Sequence, residues 1–215
     1  MTIIELRKHR FEEPLGNLAL GFLDAAAGLF QRANNHVGEV DWAFYPAAHC
    51  FRHGLELFIK QMSIYVAYER RDAKLLYERG HRLKAQWERI KADADSLMIR
   101  AQSVEEDLGM NLEEVDLAID EVDLQDPSGD VFRYPESVLP ANAKRLRTRN
   151  DTPPRTDANL ADWVGLSTNT LEAVRIILYA AQEFAYNLAS ERAHVIDSFH
   201  QTVIRFYATL NTPES

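Results

Sequence analysis

The sequence predicts an all-α protein, an antiparallel helical bundle with one long irregular loop. Three observations predict it. Apolar residues recur at alternating steps of three and four in one segment after another, the spacing that gathers them on one side of a helix. No series of alternating apolar and polar residues marks a strand. Gly80, Gly109 and a proline-containing stretch separate the segments, so the pattern describes several helices packed side by side and not one long coiled coil.

Each element has its own justification. Residues 17–34 carry Leu18, Phe22, Leu29 and Phe30 around an alanine-rich centre, a helical spacing weakened by Gly21 and Gly28. Pro46 stands where the first turn of a second helix is expected, because a proline there removes only an N–H that lacks an intrahelical partner. Phe51, Leu55, Phe58, Met62 and Tyr65 form the apolar face of that helix. His49, Arg52, His53, Glu56 and Lys60 lie opposite, within about one third of the circumference. Leu83, Trp87, Ile90, Ala94 and Leu97 repeat the pattern, as do Leu108, Leu112, Val115, Ile119 and Val122. So do Leu171, Val174, Leu178, Ala181, Ala185 and Leu188, and finally Ile196, Phe199, Val203, Phe206 and Leu210. Trp42, Trp87 and Trp163 fall in such segments and read as core.

Residues 125–159 break the pattern. DPSGD at 126–130 is a turn by composition. VFRYP at 131–135 reads as a short extended segment, since Tyr134 precedes a proline and is pushed out of the helical region. The rest, rich in Pro, Asn and Arg, is a loop longer than a compact domain normally carries.

Composition sets the class. With 215 residues, 46% of them hydrophobic, one domain spanning 1–215 buries an ample core without a disulfide or metal to staple it. Cys50 is the only cysteine, which fits a reducing compartment. The longest apolar run, IILYAA at 176–181, is far short of the roughly 20 residues of a membrane helix. The first residues, MTIIELRKHRFEE, lack the apolar core of a signal peptide. A soluble, cytoplasmic protein with no membrane contact is expected. The net charge of −9 is unevenly distributed: residues 103–130 hold eleven acids and no base, and residues 141–155 five bases and one acid. Lys144, Arg145, Arg147 and Arg149 therefore form a local patch able to contact phosphates despite the acidic whole.

The familiar catalytic signatures are missing. The chain has no GxGxxG, no phosphate-binding GxxxxGK[ST], no paired cysteines and no glycine-flanked nucleophilic serine, so no cofactor is expected. The face of His49, Arg52, His53, Glu56 and Lys60 has two readings. His49 and His53, four apart, point the same way and suit a shared metal, but Cys50 is rotated about 100° from them; no metal site is expected. The plainer reading is an ion-paired polar face, with Arg52, Glu56 and Lys60 at successive i, i+4 steps. Were that face inside the bundle, its charges would be costly unless mutually paired, and a site becomes the stronger reading. Arg133 similarly either presents a guanidinium to an anionic ligand or pairs with Glu56 or Asp126 to pin the loop while its aromatic neighbours enter the core; the second is expected.

Taken together, Arg52-x3-Glu56-x3-Lys60, Gly80-His81 opening the next helix, the acidic helix, Asp126 followed by Phe132-Arg133-Tyr134-Pro135, and a terminal helical pair resemble HEPN-like helical proteins of prokaryotic defence and toxin–antitoxin loci. The resemblance implies an all-α bundle that dimerises, with many relatives acting as metal-independent ribonucleases. Active relatives carry an Arg and a His separated by four to six residues on a C-terminal helix at the dimer interface. Here one residue separates Arg192 from His194 and seven separate it from His200, so that pair is absent. Arg192 and His194 point about 200° apart, and Arg192 and His200 lie about 12 Å apart along a helix.

Two functions follow. In the first, the chain is a HEPN-like component without the usual ribonuclease site, acting by homodimerisation and by binding a protein partner from the same locus or RNA. Arg52, His53, Glu56, Lys60, His81, Arg133 and the basic patch are then the candidate binding residues. In the second, it is an active metal-independent ribonuclease toxin using Arg192 with His194 or His200, or the His49, His53 and Glu56 face.

Overall fold

The computed structural model describes residues 14–35, 40–70, 72–76, 82–102, 112–127, 129, 132 and 160–191. These form five α-helices: α1 (Pro14–Asn35), α2 (Val40–Arg70), α3 (Leu83–Gln102), α4 (Glu113–Gln125) and α5 (Leu160–Glu191), with a single 3-10 turn (Ala73–Leu75) between α2 and α3. No strand occurs among the described residues. The fold is the all-α bundle that the spacing of apolar residues predicts. Among the described residues, no helix is long and apolar enough to cross a membrane.

The centre of the bundle is α2, which touches all four other helices. Its apolar face, Phe51, Leu55, Phe58, Met62 and Tyr65, is buried, and so are Leu57, Ile59, Ile64, Val66 and Ala67 around the rest of its circumference. A helix apolar on nearly all sides belongs inside, not at the surface. The expected stripes of the other helices are also in the core: Leu83, Trp87, Ile90, Ala94 and Leu97 of α3, Val115, Ile119 and Val122 of α4, and Val174, Leu178 and Ala181 of α5.

Two details differ from the sequence expectation. Leu18 is 52% exposed; α1 instead buries Ala19, Leu23, Ala26, Phe30 and Ala33, a stripe of the same spacing built mostly from alanine. Small residues let the backbones approach closely, and Gly54 marks the crossing with α2. A Cβ at Gly54 would lie 2.7 Å from Cγ of Leu23 and 3.1 Å from the Ala19 carbonyl oxygen. Pro46 is the second difference, for it sits inside α2 and not at its start. Tertiary packing carries the helix through it: Ala43 is buried, and the Phe44 ring meets Phe30 at 5.7 Å and Trp163 at 5.5 Å. The proline costs one backbone hydrogen bond, on a residue that is itself exposed.

Trp163 is the hub of this end of the core, its ring also within 5.3 Å of Phe30, 6.1 Å of Phe51 and 6.2 Å of Phe132. At the other end, ion pairs join α2 to α3: Arg70 meets Asp93, and Arg100 meets Glu69. Arg89 donates to the carbonyls of Leu75 and Leu76 at 3.2 and 2.6 Å, holding the 3-10 turn. The expected helix at 196–210 lies outside the described residues, as does the extended segment at 131–135 apart from Phe132.

Candidate functional site

The polar face of α2 is inside the bundle. Arg52 is 4% exposed and Glu56 3%, so two members of the expected ion-paired face are among the charges the core encloses. Burying a charge is costly unless an opposite charge meets it, and the partners are at hand. Arg52 Nη1 lies 3.7 Å from Glu56 Oε2, one helical turn on. Lys60 Nζ, a further turn along, approaches Glu56 Oε1 to 2.9 Å.

The fourth member comes from a distant part of the chain. Asp126, fully buried, ends α4 and opens the DPSG turn. Arg52 Nε lies 3.4 Å from its Oδ2 and donates to its backbone carbonyl at 3.3 Å. The other side of the turn is held by the same residue: the Phe132 N–H donates to Asp126 Oδ2 at 3.4 Å, and the Gly129 N–H to the Asp126 carbonyl at 3.4 Å. Gly129 has φ +83°, a left-handed conformation that side chains disfavour. A Cβ on it would stand 3.1 Å from both Cζ and Nη2 of Arg52. The turn thus lies directly on the guanidinium, and the composition reading of DPSGD as a reversal holds at Asp126, Pro127 and Gly129.

The four side chains carry two charges of each sign. A general acid or base must reach a substrate proton, and here both carboxylates are buried with cations against them. The arrangement fastens Asp126, Gly129 and Phe132, and through Phe132 the Trp163 cluster, to the middle of α2.

The histidines of the same helix lie beside this set. The ring of His53 meets Phe22 edge-on at 4.5 Å and stacks on His49 at 6.2 Å, so an aromatic edge from α1 occupies one side of the pair. Among the described residues, no three His, Cys, Asp or Glu side chains gather as metal ligands. Burial pushes the Cys50 thiol above its usual range, which leaves it a poor nucleophile.

Of the sequence candidates, the structure brings together Arg52, Glu56 and Lys60, with His53 on the adjoining turn. His81, Arg133, Lys144, Arg145, Arg147, Arg149, Arg192, His194 and His200 lie outside the described residues. Glu56 and Asp126, the alternative acids expected for Arg133, both lie against Arg52. Sequence reasoning missed Arg52 as the cation that joins them. An aspartate opening a Pro-Gly turn immediately after an acidic helix was the available signal.

A second set of ion pairs runs along the outside of α3 and α4. Lys84 Nζ is 2.8 Å from Asp120 and Lys91 Nζ 2.6 Å from Asp116. Asp116 also accepts from the indole N–H of buried Trp87, and its hydrogen bond to Lys91 holds that ammonium above its usual pKa. Comparison with protein-family models, curated proteins and solved structures returned no match.

Proposed function

We propose that the chain is a HEPN-like, cytoplasmic component of a prokaryotic defence or toxin–antitoxin system that acts as a homodimer by binding a protein partner or RNA, without performing catalysis in its core. One observation carries the non-catalytic part of this reading. Arg52 and Lys60 of the central helix lie against Glu56 and Asp126, and Arg52, Glu56 and Asp126 are buried. Such a set holds a helix and a turn in register; it offers no open base and no free cation for a phosphate. The family assignment rests on the resemblance of the ordered motifs, and the helical bundle is compatible with it.

The test is incubation of the purified chain with total RNA, with and without EDTA, alongside light scattering and a gel-shift titration. The proposal expects a dimer mass, intact RNA and a retarded complex whose affinity drops steeply with salt, by close to one log–log slope unit per phosphate contact. Cleavage that persists in EDTA, and is lost on replacing His194 and His200, overturns it in favour of a metal-independent ribonuclease. A monomer mass at micromolar concentration removes the dimer.

A further inference from the structure

The outer face of α4 has an arrangement that neither the buried set nor the family resemblance uses. Helix α4 carries six acids and no base over thirteen residues. Val115, Ala118, Ile119, Val122 and Gln125 point inward. Opposite them, at the middle of the solvent side, are two leucines: Leu117 is 53% exposed and Leu124 65%. They are seven residues apart, hence on one line two turns long. At 100° per residue, Glu113 and Asp120 border that line on one side and Glu114 and Glu121 on the other, each pair also seven apart. Asp116 and Asp120 turn toward α3, where Lys91 and Lys84 meet them, and the Lys84 backbone N–H donates to Asp123; Glu114 and Glu121 border the leucines on the side away from α3.

Two exposed leucines one heptad apart, bordered by acids, are a surface on which the apolar stripe of another helix can seat. Its flanks decide the occupant. A second copy of α4 would bring acids against acids, which is disfavoured, so the homodimer proposed above does not form here. Phosphate backbones and anionic membranes are repelled for the same reason. We infer that this face docks a basic amphipathic helix of another protein, one with apolar residues at a seven-residue repeat flanked by lysine or arginine. The inference is independent of the proposed function: the dimer and RNA readouts test that reading, whereas this one concerns α4 alone.

The experiment measures anisotropy of a fluorescent helical peptide, with leucines seven residues apart flanked by lysines, titrated with the full chain. A second peptide of the same composition has the leucines scattered around the helix, and a third has glutamates for lysines. The inference expects the first peptide to bind, the scattered one to bind at least about tenfold more weakly for want of a shared apolar stripe, and the glutamate peptide not at all. Leu117→Ala with Leu124→Ala, and separately Glu114→Lys with Glu121→Lys, should each abolish most binding with unchanged melting curves. Equal binding of ordered and scattered peptides reduces the face to general charge attraction and overturns the inference. So does absence of binding, or binding untouched by both double variants. A change of the chain's own mass by light scattering in the leucine double variant overturns it too, assigning the face to a second copy.

Discussion

The bundle holds two sets of ion pairs made of the same chemical groups and placed in opposite surroundings. In the α2 set, Arg52 and Lys60 meet Glu56 and Asp126 with Arg52, Glu56 and Asp126 all enclosed. In the α3–α4 set, Lys84 and Lys91 meet Asp120 and Asp116 at shorter distances, 2.8 and 2.6 Å, on the surface. Distance alone would make the outer pairs the stronger ones. Burial reverses the order of consequence: an exposed pair contributes little because water and salt screen it, whereas removing one partner of an enclosed pair leaves a charge that nothing solvates. Pairing in the core is thus a requirement of the fold, and pairing outside is an adjustment to it.

The sharpest way to break the comparison is Arg52→Ala. It removes the guanidinium from both Asp126 and Glu56, and should lower stability by about 3–5 kcal/mol, measured by denaturant unfolding. A variant that melts like the parent would place the set outside the folding core. Gly129→Ala comes next. It forces a side chain into a left-handed backbone and against the Arg52 guanidinium, for a loss of about 1–3 kcal/mol with the surrounding charges intact. Asp116→Ala sharpens the outer half, for it removes the acceptor of the buried Trp87 N–H and should cost about 1–3 kcal/mol. Lys91→Ala, which leaves that indole bond in place, should cost less than about 1 kcal/mol and fade further in salt.

The smallest effect is a pH effect. Burial raises the Asp95 carboxyl above its ordinary range, with Lys91 opposing and Asp116 adding to the shift. A carboxyl whose pKa is higher folded than unfolded favours the native state when protonated, so stability falls as pH rises through its unfolded and then its folded pKa. Asp95→Asn should therefore raise the melting temperature slightly at pH 7 and leave it unchanged at pH 3. An equal gain at both pH values would assign the effect to something other than ionisation.

The comparison also marks how far the sequence could be read. Steps of three and four located α2, α3, α4 and α5 because a buried stripe leaves its period in the order of residues. On α1 they found Phe30, with Phe22 and Leu29 partly buried against the core, but put Leu18 on that face and passed over Ala19, Ala26 and Ala33, because alanines give a weak signal. Pro46 was misjudged because local propensity sees the missing N–H and not the Phe44–Trp163 contact that outweighs it. The α2 face was legible as a set of i, i+4 partners, yet whether it was enclosed depended on α4's terminal turn, 74 residues on from Arg52, a separation that no local pattern spans. The acidic charge of α4 was plain, while the isolation of Leu117 and Leu124 on its outer face required knowing which side the core takes.

A double-mutant cycle pairing Arg52→Met with Asp126→Asn, run by denaturant unfolding beside the cycle of Lys91→Met with Asp116→Asn, tests most directly whether the enclosed set is the clamp that fixes the turn to the central helix. The account predicts a coupling of more than about 2 kcal/mol for the Arg52–Asp126 pair and less than about 1 kcal/mol for the Lys91–Asp116 pair. Couplings of equal size, or a larger one on the surface, would contradict it.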